Sequence, residues 1–256
     1  MNPWLTLEQG RDYLCQGAGQ GVKIAVLDSG VESAHPMLAG LQFTDDLAII
    51  EEDGQFKTIS GQGRDIFGHG TAIAGIIHQV VPEARIGSFR VLGEQLRSRT
   101  ALICEGARQA IERGYHILNC SFGCGRPDHV LHYKEWIDGA YLRGRHVVAA
   151  SNNHDFTKCE WPGHFPSVIT ASFTGAGQNE ALYHRAGTLV EFAARGQDIE
   201  VAWAGGATKK VTGSSFAAPH VTGLLARLLS CAPGVSPLQA KALLQQLAAP
   251  WTPPPQ

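Results

Sequence analysis

The chain has 256 residues, 44% of them hydrophobic, with 30 glycines and a formal net charge of -2. That is enough apolar material for one large core, and the charge balance does not favour nucleic acid or an anionic membrane as a partner. The opening stretch MNPWLTLEQGRDYLCQGAGQG has neither a basic start nor a long apolar run, so no signal peptide and no membrane-spanning segment are expected. The expected location is cytoplasmic, or outside the cell if a precursor region has been removed.

In chain order, VKIAVLDSG (22–30) is an apolar run ending in a turn and predicts a buried strand. GTAIAGIIHQV (70–80) predicts a helix packed closely through Ala72, Ala74 and Gly75. A strand is expected over 84–92, a helix over 101–114 with a glycine stop, a strand over 115–122, a helix over about 128–142 and a strand over 145–152. Further strands are expected over 167–173 and 188–194, and helices over 215–229 and 236–247. Strands alternating with helices imply a three-layer α/β fold, a mostly parallel central sheet with helices on both faces. The division expected is a lead-in over 1–20, one domain over 21–248 and a proline-rich tail over 249–256, which is frayed or extended because PWTPPPQ cannot form helix.

GSSFAAPHVTG (213–223) places Ser214 and Ser215 at the start of the helix carrying Val221, Leu224, Leu225 and Leu228 on one apolar face. Serine hydroxyls suit a first helical turn, and Pro219 falls early enough for its missing N–H to cost little. The free N–H groups and the dipole there favour developing negative charge. In a parallel sheet, functional groups gather at the carboxyl ends of strands and the helix starts beyond them. Asp28 ends the first strand, His69 precedes a helix and Ser215 opens another. An aspartate, a histidine and a serine in one crevice form the acyl-transfer constellation. The serine attacks a carbonyl, the histidine moves its proton, and the aspartate fixes the imidazole tautomer.

AVLDSG, GHGTAIAG and GSSFAAPHVTG, in the order Asp, His, Ser, together resemble the subtilisin-like serine proteases. The likeness runs from about Gly21 to Leu247 and takes in VVPEARI, NCSFG, VVAASN, WPGHFPSVITAS and SPLQAKALLQQLA. It implies that Asp28, His69 and Ser215 are the triad and that Asn152 in AASNN supplies the oxyanion-binding amide beside the Ser215 N–H. It further implies that Ser121, Phe122 and Gly123 pair with the substrate backbone as an added strand. Ala149, Ala150 and Ser151 then form the other wall of the pocket for the residue before the cut bond.

The chain departs from the family at several points. Ser214 and Phe216 stand where the family usually has Thr and Met, and both keep the turn and its apolar packing. Ser151 replaces a usual glycine. IIHQVVPEARI leaves no room for the calcium-holding loop of many secreted members, so that site is not carried over. Glu160 stands immediately before WPG, at the floor of the specificity pocket where a small residue is common. A carboxylate there would favour Lys or Arg before the cut bond. Outward exposure to solvent is the alternative for Glu160, and Asp155 is a second candidate for the same task.

No cofactor and no metal are expected, since neither the histidines nor Cys120 and Cys124 have convincing ligand spacing. His35 is read as ordering its loop and His220 as a satisfied core residue. The six cysteines are read as free thiols, with a bond from Cys159 to Cys120 or Cys124 left open. The partner expected is a peptide or protein substrate, and the chain is expected to act as a monomer. The implied activity is a serine endopeptidase, with peptide maturation by cleavage after basic residues as its narrower form. Rivals are a same-fold transpeptidase or macrocyclase, and a catalytically silent binding module.

Overall fold

The computed structural model describes residues 4–155, 157–175, 178 and 181–252. The last four residues of the expected tail lie outside that set. A ten-stranded sheet runs in the order β12-β8-β9-β7-β6-β5-β1-β4-β2-β3. Its strands are β1 (Lys23–Asp28), β2 (Gln42–Glu52), β3 (Gln55–Ser60), β4 (Arg85–Arg90), β5 (Ile117–Cys120), β6 (His146–Ala150), β7 (Ile169–Phe173), β8 (Tyr183–His184), β9 (Phe192–Ala194) and β12 (Ala249–Pro250). The pairs in the middle of the sheet are parallel, while β2 with β3 and β8 with β9 are antiparallel. A separate hairpin joins β10 (Ile199–Trp203) to β11 (Ala207–Val211).

Among the described residues the α-helices are α1 (Leu7–Gln16), which packs on α5 and α6, α2 (His69–Val80), α3 (Thr100–Glu112), α4 (Val130–Leu142), α5 (Ser214–Cys231) and α6 (Pro237–Leu247). One core cluster joins α2, α5 and α6 to the sheet through residues such as Ile24, Ile73, Val148 and Leu225. A second lies under α3 and α4 and includes Leu27, Phe89, Ile111, Leu118 and Ile137. This is the three-layer arrangement that alternating strands and helices require.

Small residues set the spacing of the helices that carry the site. A Cβ added at Gly223 of α5 would come within 2.5 Å of Val80 in α2, so the two helices touch through a glycine. A Cβ at Gly70 would come within 2.0 Å of the Gly30 carbonyl, which seats the start of α2 directly on the chain leaving β1.

Several elements differ from the sequence expectation. The lead-in contains α1, opened by a reciprocal capping box between Thr6 and Gln9. Its Gly10 packs on Leu243 and Leu247 of α6. The hairpins β2–β3 and β10–β11 lie outside the expected elements; β3 and β11 are largely exposed, β2 is mostly half-buried, and β10 is buried at Ile199, Val201 and Ala202. The strand expected over 188–194 shrinks to Phe192–Ala194. The tail is extended at its start, where Ala249–Pro250 pairs with β8 and Trp251 is buried. That indole supplies the apolar anchor which the prolines alone lack.

Candidate active site

Asp28 is the last residue of β1 and is fully buried. His69 is the first residue of α2, which starts after Gly68 in the left-handed region at φ 111°. A side chain at Gly68 would also run into Trp203, with a built Cβ 2.7 Å from its Nε1, so glycine is required there twice over. The turn brings the His69 Nδ1 to 2.8 and 2.9 Å from the two Asp28 carboxylate oxygens. The Ser29 N–H also donates to Asp28 at 2.8 Å. Burial alone would depress the His69 pKa, but the charge and hydrogen bond of Asp28 outweigh it. With the charge of Asp65 added, the imidazole sits above its ordinary value of 6.5, while Lys209 pulls the other way.

Ser215 lies in the first turn of α5. Its hydroxyl donates to the Ser121 carbonyl at 3.2 Å, and the Ser121 hydroxyl donates back to the Ser215 carbonyl at 2.9 Å. The Ser121 hydroxyl also accepts from Asn119, whose Oδ1 takes the Thr222 hydroxyl from the next turn of α5. A buried polar chain thereby fixes α5 against the end of β5. The next residue, Phe216, packs its ring 5.3 Å from that of His69. Asp28 at the end of β1 and His69 at the start of α2 are thus paired, and Ser215, at the start of α5, directly precedes the residue whose ring lies against His69. Such a set can take a proton from a hydroxyl and return it to a leaving group.

Ser121, Phe122 and Gly123 follow the end of β5, and Cys124 exchanges both backbone hydrogen bonds with Trp161 at 2.8 and 2.9 Å. Ala149 and Ala150 end β6, and the Ser151 N–H is tied to the Ala171 carbonyl. Glu160, next to Trp161, spans the space between the walls. Its Oε1 accepts the Asn152 side-chain amide at 2.8 Å, and its Oε2 lies 2.7 Å from where a Cβ on Gly123 would be. Asp155 points its carboxylate at the Thr157 N–H and hydroxyl instead, a turn role.

Asn152 is committed differently from the sequence expectation. Its amide nitrogen is taken by Glu160, and its Oδ1 accepts from the N–H groups of His154 and Asp155 at 2.8 and 2.9 Å. Its neighbour Asn153 is the one joined to the serine turn, with Oδ1 accepting the Ser214 N–H and facing the Ser214 hydroxyl, both at 2.8 Å. That arrangement leaves the Asn153 Nδ2 without an acceptor among the described residues.

Sequence reasoning also passed over Asp65. One of its oxygens accepts the Ser29 hydroxyl at 2.8 Å and the N–H groups of Phe67 and Gly68 at 3.0 and 2.7 Å. The other accepts the Thr71 N–H and hydroxyl at 2.8 and 2.7 Å. Asp65 therefore caps α2 from outside, in place of the side chain that Gly68 lacks. Its position four residues before His69 was the available signal.

Among the described residues no group of three or more His, Cys, Asp or Glu side chains is placed to hold a metal ion, and no helix is long and apolar enough to cross a membrane. The six cysteines are unpaired. A surface cleft of about 920 Å³ lies between α3 and α4, lined by Cys104, Cys124, His129 and Trp136 among others. It contains none of Asp28, His69 and Ser215.

Comparison with known proteins agrees with this geometry. The Subtilase family matches residues 19–253. Subtilisin BL of Lederbergia lenta is 30% identical over 242 residues, covering 90% of this chain and 84% of the relative. The major intracellular serine protease of Bacillus subtilis (strain 168) is 30% identical over 232 residues, covering 83% and 69%. M-protease of Shouchella clausii (strain KSM-K16) is 29% identical, and the match spans 60% of its length. Among solved structures, a cold adapted subtilisin-like serine proteinase superposes with a TM-score of 0.76 at 27% identity, covering 90% of this chain and 83% of the other. The chain belongs to the subtilase family of serine proteases, hydrolases that act on peptide bonds.

Proposed function

We propose that Ser215 is the nucleophile, His69 its general base and acid, and Asp28 the group that orients and stabilises the imidazolium. Rotation of the Ser215 hydroxyl away from the Ser121 carbonyl would free it to give its proton to the His69 Nε2. Attack on the substrate carbonyl forms the acyl-enzyme, the His69 proton goes to the leaving amine, and water repeats the sequence in reverse. The oxyanion takes the Ser215 N–H and the Asn153 Nδ2 in this reading. Asn153 replaces Asn152 here because the Asn152 Nδ2 donates to Glu160 and its Oδ1 accepts two backbone N–H groups of its own loop, whereas Asn153 is fastened to the residue preceding the nucleophile. The substrate backbone pairs with Ser121 to Gly123.

The protease cuts after Lys or Arg in this proposal. One observation carries that reading: the Glu160 carboxylate lies between Asn152 and Gly123, at the two stretches that the family resemblance makes the walls of the specificity pocket. A half-buried carboxylate at that point rewards a cation with a charge-assisted hydrogen bond and leaves an apolar side chain against an unpaired charge. Such selectivity suits limited maturation of a peptide precursor better than general digestion. Six unpaired thiols support action in a reducing compartment.

The test is digestion of a diverse peptide library by the protein and by Ser215→Ala, with every cut mapped by mass spectrometry. Serine-dependent cuts concentrated after Lys and Arg are the expected result. Serine-dependent cuts after apolar residues would keep the nucleophile and remove the basic-residue reading.

A further inference from the structure

The Glu160 carboxylate is not a free fork. Asn152 donates its amide to Oε1, and the orientation of that amide is determined, because Oδ1 is the atom receiving the N–H groups of His154 and Asp155. A flipped amide would set its NH₂ against two N–H donors and its oxygen against a carboxylate. On the other side the carboxylate rests on Gly123, where even a methyl group would meet Oε2 at 2.7 Å. The chain is tied here as well, since Cys124 and Trp161 share two backbone hydrogen bonds. The carboxylate is thus held between Asn152 and Gly123, with Oε1 engaged by the Asn152 amide and Oε2, over Gly123, taking no hydrogen bond from the described residues.

We infer that Asn152 is a specificity-determining residue that makes Glu160 a reader of lysine in preference to arginine; this rests on the proposed cleavage after basic residues. A guanidinium gains most when two parallel N–H groups meet both oxygens of a carboxylate along one edge. The Asn152 amide competes for one of those oxygens. An ammonium is a compact point charge that needs a single open oxygen and can turn its remaining N–H groups to carbonyls or water. The same pair therefore costs arginine its bidentate contact and costs lysine little.

The experiment compares kcat/KM for two peptides identical except for Lys or Arg before the cut bond, using the intact enzyme, Asn152→Ala and Glu160→Gln. A ratio of two rates in one preparation is independent of the fraction of enzyme folded. The intact enzyme is expected to favour Lys by about tenfold, the worth of one strong hydrogen bond. Asn152→Ala should bring the ratio close to one, mainly by raising the Arg rate, and Glu160→Gln should depress cleavage after both. Arginine cut as well as lysine by the intact enzyme overturns the inference while leaving the basic-residue reading in place. So does an Asn152→Ala variant with an unmoved ratio. A loss of kcat in Asn152→Ala that is equal for Lys, Arg and an apolar residue would also overturn it, and would assign that amide to the oxyanion. If neither basic peptide is cut in preference to an apolar one, the basic-residue reading fails first and this inference with it.

Discussion

Asp28 and His69 are 0% and 5% exposed, whereas Asn152 and Glu160 are half-buried and Asn153 is exposed. The two sides of the crevice are also tied together differently. On the Asp28 side, carboxylate and imidazole sit at the end of a central strand and the start of a packed helix, and backbone N–H groups add to the side-chain bonds that hold them. On the Glu160 side, a side chain bonds to a side chain across a loop. The first arrangement fixes a geometry on which every substrate depends. The second can be altered by one or two residues while the sheet stays as it is, so rate and selectivity should separate under mutation.

The sharpest test of that separation begins with Ser215→Ala. It should lower kcat by about a millionfold, the scale set by subtilisin, a relative of this chain, as read from turnover of any peptide the intact enzyme cuts. A loss of only a few-fold would place the nucleophile elsewhere. Asn153→Ala comes next. Removing an oxyanion donor should lower kcat by about 10²–10³-fold, again on the scale of subtilisin, with KM little changed. The comparison predicts that this loss is the same for Lys and Arg substrates, in contrast to Asn152→Ala, which shifts their ratio. If Asn153→Ala moves the ratio and spares kcat, the two asparagines exchange roles.

That pair of asparagines marks where sequence reading stopped. Strand and helix order followed from buried apolar runs, because a sheet covered on both faces leaves continuous signals such as VKIAVLD. Asp28, His69 and Ser215 could be named because each ends or begins such an element and because AVLDSG, GHGTAIAG and GSSFAAPHVTG resemble the family's motifs. In AASNNHD the strand is over, and no periodicity says which asparagine turns toward the serine. The Ser214 N–H, 61 residues away, decides it. Glu160 could be named from its place before WPG, but its direction depends on the Asn152 amide. Asp65 was missed because a loop aspartate is a common turn former, and its partners Ser29 and Thr71 lie on two different elements. The strands β3 and β11 were missed because QFKTIS and ATKKV are largely exposed and carry no apolar run.

Asp65 offers a smaller effect that probes the buried side. Asp65→Asn keeps one acceptor oxygen and removes the charge, so the start of α2 loosens and kcat/KM should fall about 10-fold to 100-fold. The pH profile separates geometry from charge. His69 must be neutral to accept the serine proton, so activity rises as pH passes its pKa. Asp65 contributes to raising that pKa, and removing its charge should move the acid limb to lower pH. A lower rate with an unmoved limb would make Asp65 a prop for the helix alone.

Lys209 provides the opposite and smallest change. It is exposed on β11, with its ammonium 4.1 Å from the Trp203 ring centre, and its charge lowers the His69 pKa. Lys209→Ala should therefore move the acid limb to higher pH, opposite in sign to Asp65→Asn, with kcat on the plateau within about twofold, as for other exposed charges. Salt distinguishes the two contributions. An exposed charge is screened over a Debye length of about 10 Å at 0.1 M ionic strength, so the Lys209 effect should fade as salt rises. The Asp65 effect, acting through a shielded network of hydrogen bonds, should persist. Equal fading of both shifts would mean that the buried side of the crevice is as open to solvent as the Glu160 side, and the contrast between the two would fail.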